Sequence, residues 1–472
     1  MLTPHIWNTA QVLAATGGSL ITGTEAARFS GIGIDSRRID PGHLFVAVAG
    51  SRHDGHHFVA DVVARGVKGI VVADDRVGDL PLDQMSAAGV TGVAVADTIR
   101  ALGLLAGFNR RRGPLMVLAI TGSNGKTSTR MFTEQVISQQ FTTLSTGGNF
   151  NNHIGLPLTL FRLSPAHQAA VLELGMNHAG ELTYLGGICQ PDVAIITNVG
   201  AAHLEGLGSI DNVLRAKAEL LDTLGEQGAA ILNADDARVA GLAEGLERRV
   251  VFFGTGRKAQ VRAADVCLSE AGLTFTLATP SGHRPVALAT PARVMVENAL
   301  AAAAAGELMG ISLDRIKAGL EAFIPQSGRM GIRRLSHDIW VVDDTYNANP
   351  ASMTAAVETL AGMRGRRRTI AVLGDMLELG PQSADLHRAV GQAVGDAGID
   401  RLYVTGRFAA AVADGAMARQ MAATQIVVAT RDAIATQLEQ VLRPGDLVLV
   451  KGSRGMAMEA VVESIARWAD ER

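Results

Sequence analysis

The stretch Thr121-Gly122-Ser123-Asn124-Gly125-Lys126-Thr127-Ser128 follows the apolar run 115–120 and opens into a helical pattern. A glycine-rich loop between strand and helix turns backbone N–H groups toward an anion, and the helix dipole adds positive potential there. Lys126 is placed to reach the terminal phosphates of a nucleotide, and Thr127 to hold Mg²⁺. Ile120 stands where the usual G-x-x-x-x-G-K-[ST] pattern has its first glycine, so only the shorter and less specific G-x-x-G-K-T remains. Its place between a strand and a helix favours nucleotide binding over a glycine turn with a surface lysine.

Three more residues could join that chemistry. Glu173 lies in LELGMNHAGE at the end of an apolar run, His203 in TNVGAAHLEGLGS just past the next, and Lys217 in RAKAELLD. Each has an ordinary explanation: a polar strand end, a hydrogen-bonded loop histidine, a solvated helix lysine. Open α/β sheets, however, bind ligands at the carboxyl ends of their strands. As a set beside a phosphate loop, Thr127, Glu173 and His203 could complete a magnesium site. Mg²⁺ prefers oxygen, so an imidazole suggests a second and less regular metal position. Residues 343–350, DDTYNANP, raise a similar choice. Asp, Asn and Pro form turns for backbone reasons alone, yet this polar cluster ends an apolar strand. His53, Asp54, His56 and His57 fit no standard zinc spacing.

The elements that must position these residues follow an α/β rhythm. The first hundred residues mix short strands with helices, and 78–91 reads as loop. A helix from 98 to 111 then connects to a series of apolar strands at 115–120, 168–174, 193–199, 228–233 and 249–254, separated by helical patterns. Such strands argue for a parallel sheet covered on both faces. Short antiparallel strands between 265 and 289 form an appendage, and an alanine-rich helix from Asn298 and another near 312–320 end the unit. A third unit repeats the rhythm, with strands at 338–344, 369–375 and 446–452 and no phosphate loop of its own. Three α/β domains are expected, at 1–97, 98–326 and 327–472.

Bulk properties agree. The chain has 472 residues, long enough for about three domains. It is 47% hydrophobic and 19% charged, hence globular. A formal net charge of −3 and no basic tract beyond Arg364-Gly365-Arg366-Arg367-Arg368 argue against nucleic acid as a partner. Two cysteines, Cys189 and Cys267, make neither a disulfide framework nor a metal cage. The N-terminus lacks the pattern of a secretion signal and no stretch is apolar enough to span a membrane, so a cytoplasmic setting is expected.

TGSNGKT, NFNNHIGLP, LELGMNHAGE, NVGAAHLEGLGS, RAKAEL, the Asn298 helix, SGRM (327–330), DDTYNANP and KGSR (451–454) occur in one order from Thr121 to Arg454. In this the chain resembles the Mur ligase family, ATP-dependent amide-forming enzymes of peptidoglycan precursor synthesis. The resemblance spans nearly the whole chain and implies three α/β domains: an N-terminal UDP-substrate-binding domain, a central P-loop ATPase domain with a mostly parallel sheet, and a Rossmann-like C-terminal domain. LELGMNHAGE and DDTYNANP resemble the branch that joins D-alanyl-D-alanine to UDP-N-acetylmuramoyl-tripeptide through an acyl phosphate.

Residue roles implied by the resemblance are as follows. The loop from Gly122 to Ser128 binds ATP, with Lys126 on phosphate oxygens. Thr127 and Glu173 hold one Mg²⁺, and His203 helps hold a second. Lys217 matches the lysine that the family carbamylates, which would turn a cation into an anionic oxygen ligand. Asn298 and Arg329 fall on the adenine and phosphate side of ATP, and Asp344 on its ribose. Ser36 and Arg37 face the uridine diphosphate, and Asn149, Asn152 and His153 the muramoyl peptide. Tyr346, Asn347 and Asn349 face the incoming dipeptide, Lys451, Ser453 and Arg454 bind substrate, and the chain is expected to be a monomer. One departure is Glu297, where the family often has histidine. Rival readings are a sibling ligase adding one amino acid, a folate polyglutamylating enzyme, and a P-loop switch that hydrolyses nucleotide to change partners. DDTYNANP argues against the first two, and the lack of a guanine-type recognition motif argues against the third.

Overall fold

The computed structural model describes residues 2–50, 53–269 and 272–471. Three large sheets follow one another along the chain. The first runs Ser19–Thr22, Thr91–Val95, Gly69–Ala73, Leu44–Val46, Ile32–Gly33, parallel except at its first edge. The segment 78–91, expected as loop, instead contains the short helix Leu82–Ala87 and leads into the Thr91–Val95 strand. Pro81 and the small residues there suggest a break, but Met85 is fully buried and anchors a helix too short to show periodicity.

The central sheet places nine strands in the order Gly282–Leu288, Gly272–Thr279, Val261–Ser269, Arg249–Gly254, Ala229–Asn233, Val193–Ile196, Met116–Thr121, Ala169–Glu173, Thr143–Ser145. From Val261–Ser269 onward every pairing is parallel, and the antiparallel strands extend the sheet at its other end. All five residues of Ala169–Glu173 are buried, as they must be when helices cover both faces. Register aligns Glu173 with Ile120 and Ile196 with Thr121, so these three strands end at one edge. The third sheet runs Gly331–Leu335, Ile339–Asp344, Leu447–Lys451, Thr369–Leu373, Arg401–Val404, Ile426–Val428, with only its first strand antiparallel.

Two features lock the phosphate-loop helix, Lys126–Ile137, in place. The alanine-rich helix Val294–Leu308 is buried from Asn298 to Gly306 and packs against it, which explains an apolar composition without a polar face. The helix Leu313–Glu321 also packs on it, and a Cβ at Gly319 would lie 2.6 Å from the Val136 Cα. One hydrophobic core joins the alanine helix to Trp340 and Val342 of the third sheet and to Met353 of the helix Pro350–Gly362. Another joins Trp7 and Phe29 to Val117 and Leu172 of the central sheet. Among the described residues no helix is long and apolar enough to cross a membrane.

Gly319→Val would push a branched side chain against backbone that cannot retreat. A loss of about 1–3 kcal/mol is expected from overpacking, readable as a lowered unfolding midpoint in a thermal or urea melt.

Candidate active site

The loop after Met116–Thr121 is shaped by the strand beside it. The Ser123 N–H donates to the Asn198 carbonyl at 2.9 Å, the Asn124 N–H to Asn198 Oδ1 at 2.8 Å, and the Thr197 hydroxyl to the Asn124 carbonyl at 2.6 Å. Gly122, at φ 154°, could not carry a side chain, since a Cβ would lie 1.8 Å from Thr197 Oγ1. Gly125, at φ 79°, brings the loop against Asn298, whose Oδ1 would lie 2.3 Å from its Cβ. The helix begins at the next residue, so its positive end faces the loop.

Glu173 is buried at the neighbouring strand end. The Thr127 hydroxyl donates to its Oε2 at 2.7 Å, and Asn151 Nδ2 donates to its Oε1 at 2.8 Å. Behind it, Arg130 Nε lies 4.0 Å from Oε2. A hydroxyl and a carboxylate 2.7 Å apart are hard oxygen donors of the kind Mg²⁺ takes, so the residues present fit that ion. Among the described residues no group of three or more His, Cys, Asp or Glu side chains could hold a metal ion by itself. Such a site would be completed by phosphate oxygens.

Lys126 Nζ donates to the Gly122 carbonyl at 2.7 Å. Its ammonium is pushed down from the ordinary value chiefly by burial; Glu173 opposes the shift and the Arg329 charge adds to it. Lys217 is 1% exposed, against the simple expectation of a solvated helix lysine. It falls on the apolar stripe Val213, Ala216, Lys217, Leu220, Leu221, the spacing of one helix face. Burial, then the charge of Lys126, pushes its ammonium far down.

A cavity of about 1450 Å³ opens over this edge. Ser123, Asn124, Gly125, Lys126, Thr127, Ser128, Asn149, Asn152, His153, Glu173, His203 and Asn298 line it from the central sheet. Arg329, Asp344, Tyr346, Asn347, Asn349 and Lys451 line it from the third. The Arg329 guanidinium stacks on the Tyr346 ring at 3.8 Å. Asp343 and Asp344 separate in role. Asp343 is buried and accepts from the Thr345 hydroxyl and the Gly328 N–H, while Asp344 reaches the cavity and pairs with Lys451. Glu297 lines the same cavity; burial and Asp235 raise its pKa, against a hydrogen bond from Asn233.

Several expected ligand residues are otherwise engaged. Asn152 Oδ1 accepts from the Ile154 N–H at 3.2 Å and the Gly155 N–H at 2.9 Å, where the helix Gly155–Leu160 begins. Asn349 caps Pro350–Gly362 and donates to Asn124 Oδ1 at 2.6 Å across the two sheets. The Ser453 hydroxyl donates to the Ala348 carbonyl and accepts from the Leu377 N–H, and Arg454 pairs with Glu459. Ser453 and Arg454 lie outside the cavity lining, as do Gly122 and Lys217 behind the loop. Ser36 and Arg37 lie in the turn after the Ile32–Gly33 strand of the first sheet, also outside it, with Arg37 holding the Asp35 carboxyl down to about 2. The site residues that sequence reading passed over are Asn151, Arg130, Asn198 and Glu378. Asn151 stood one place from a chosen neighbour, and only the loop path decides between them.

Residues 28–110 match the Mur ligase family catalytic domain, 120–306 the Mur ligase middle domain and 328–454 the Mur ligase glutamate ligase domain. The UDP-N-acetylmuramoyl-tripeptide–D-alanyl-D-alanine ligase of Escherichia coli strain K12 is 40% identical over 91% of this chain and 92% of its own. The ligase of that name from Bacillus subtilis strain 168 is 33% identical over 92% and 93%. Crystal structure I of MurF from Acinetobacter baumannii superposes with a TM-score of 0.89 at 34% identity, covering 99% of this chain and 100% of that one. MurF ligase from Thermotoga maritima in complex with ADP superposes at 0.80 and 26% identity, over 93% and 98%. The chain belongs to the Mur ligase family.

The depressed Lys217 predicts a measurable pH effect. Between its folded value and the ordinary 10.5, the unfolded chain binds more protons than the native one, so the Lys217 contribution to stability rises with pH. Lys217→Met removes that slope. In carbon-dioxide-free buffer, the variant should gain stability over the parent at neutral pH, and the gain should shrink as pH approaches 10.5. Urea unfolding across a pH series reads both.

Proposed function

We propose that this chain is an ATP-dependent peptide ligase that joins D-alanyl-D-alanine to UDP-N-acetylmuramoyl-tripeptide. The observation that carries the reading is one cavity shared by a phosphate loop, the Thr127–Glu173 oxygen pair and the cation-bearing segments Arg329 and Lys451 of a second sheet. At about 1450 Å³ it exceeds the ordinary small-molecule pocket, as a site for a nucleotide and two peptide substrates must. Relatives carrying that activity in their names match more than nine-tenths of the chain.

The acceptor carboxylate attacks the γ-phosphorus of ATP, ADP departs, and an acyl phosphate forms. The D-alanyl-D-alanine amine then adds to the acyl carbon, and the tetrahedral intermediate expels phosphate. Two anions must meet in the first step, and the protein's part is concentrated positive charge. Lys126 exchanges its loop carbonyls for phosphate oxygens, and the N–H groups of 122–128 hold the phosphates. Thr127 and Glu173 would hold one Mg²⁺ through their oxygens and His203 would help hold a second; magnesium would supply neutralising charge to the phosphates. Arg329 closes on the phosphates from the other unit, with Asn298 toward the base and Asp344 toward the ribose. Asn149 and His153 face the muramoyl peptide, Tyr346 and Asn347 the dipeptide, and Ser36 and Arg37 the uridine diphosphate.

Lys217 is assigned as the carbamylated lysine. CO₂ reacts with a neutral amine, losing a proton to give the carbamate, and burial beside Lys126 favours the neutral form of Lys217. The units assigned to these roles are 1–97 for the UDP substrate, 98–326 for ATP and 327–472 for the dipeptide and closure. We assign the enzyme to the cytoplasm, where ATP and UDP-linked precursors are made, and to a monomeric state.

Phosphate release from ATP with UDP-N-acetylmuramoyl-tripeptide should require D-alanyl-D-alanine and not proceed with a single amino acid. Release at full rate without acceptor or amine would overturn the reading in favour of a nucleotide switch. Lys126→Met should lower kcat by on the order of 10²-fold or more, as loss of a phosphate-stabilising group does. Lys217→Ala should lose most activity and recover part of it with added short carboxylates.

A further inference from the structure

His203 and Glu378 belong to loops of different sheets. His203 follows the Val193–Ile196 strand, and Glu378 follows Thr369–Leu373. The imidazole Nδ1 lies 2.9 Å from Glu378 Oε2, and the Glu205 N–H donates to the Glu378 carbonyl at 3.2 Å. Both residues line the cavity. Both also hold left-handed backbone, His203 at φ 56° and Glu378 at φ 62°. Non-glycine residues adopt that region at a cost and keep it where the surroundings enforce it, often at functional sites. Here the two strained residues bind each other across the gap between sheets.

A carboxylate only accepts hydrogen bonds, so the pair requires the proton on Nδ1. That leaves Nε2 as the ring nitrogen with a free lone pair. A carboxylate behind an imidazole is the usual means of fixing a histidine's tautomer and ring orientation. We propose that Glu378 is a positioning residue for His203, supplied by the C-terminal unit. With the two units together, its carboxylate sets the Nδ1–H tautomer and holds the ring so that Nε2 serves the cavity. With them apart, that constraint is absent. His203 is thereby made competent by closure, as the bond from Asn349 to Asn124 makes the phosphate loop part of the same contact. The inference rests on the proposed magnesium role of His203, but the pairing itself is testable without turnover.

The test uses the full chain labelled with ¹⁵N-histidine, the His203 signals being identified by their loss in His203→Gln. Parent protein with ADP and Mg²⁺ should show the Nδ1–H tautomer for His203. Glu378→Ala should shift it toward Nε2–H, and Glu378→Gln, which keeps an acceptor oxygen, should retain Nδ1–H. In turnover, Glu378→Ala should lower kcat by about 10–100-fold and raise the Mg²⁺ concentration for half-activity. KM for D-alanyl-D-alanine should change by less than about twofold, since the residue acts through His203. Glu378→Gln should recover a large part of kcat. An unchanged tautomer in Glu378→Ala overturns the proposal, as does a loss of kcat with unchanged Mg²⁺ dependence. Parent protein without D-alanyl-D-alanine-dependent phosphate release would defeat the ligase reading instead, while the tautomer result still decides the pairing.

Discussion

The buried ammonium of Lys126, beside the buried carboxylate of Glu173, bears on a second buried lysine, Lys217, and pushes it further from its charged form. Burial disfavours the charged form of each lysine; Glu173 opposes this at Lys126, while the Lys126 charge adds to it at Lys217. The protein by itself leaves this corner short of negative charge. A polyphosphate entering the loop supplies what is missing, and gains from charges that water screens little. Much of the surrounding architecture serves to hold that imbalance in place. Parallel strands end within a residue of one another at Thr121, Glu173 and Ile196. The alanine-rich helix and Gly319 pin the loop's helix from behind, where a bulkier residue would move it.

The second sheet completes the arrangement from outside. Arg329 stacks on Tyr346, and its charge is felt at Lys126 in the other unit. Lys451 is buried and answered by Asp344. Cationic groups are thus delivered to one cavity from two separate sheets, and only their apposition concentrates them. The polar bond from Asn349 to Asn124 ties the segment after Ile339–Asp344 to the phosphate loop. A loop expected only to touch substrate therefore also registers one unit against the other.

Legibility in the sequence followed physical rules. Parallel strands buried on both faces are runs of apolar residues, and five in the central unit were readable for that reason. The loop 121–128 was readable because glycine, lysine and threonine have few other reasons to occur so spaced. Lys217 was half readable. Its place on the stripe 213, 216, 217, 220, 221 points inward, though lysine alone suggests solvent. Asn152 and Asn349 were ambiguous, because asparagine suits a helix cap and a ligand equally well, and the choice depends on the path of the chain. Glu378 carried no local signal, since its partner lies 175 residues away. The short helix Leu82–Ala87 was invisible because one and a half turns show no period.

The segment DDTYNANP shows how structure and function divide a cluster of polar residues. Asp343 is consumed in fixing Gly328 and Thr345, and Asn349 in capping a helix and meeting Asn124. Asp344 is held by Lys451, and the carbonyl of Asn347 accepts from the same ammonium. What remains to face the cavity is the Tyr346 ring, already faced by a guanidinium, and the exposed Asn347 side chain. A ligand in the cavity therefore meets fewer free polar groups here than the run of polar residues suggests. The committed residues instead set the shape of the cavity wall. A structure that spends so many polar groups on placing a loop reaches precision through rigidity, which is what an acyl phosphate waiting for one particular amine demands.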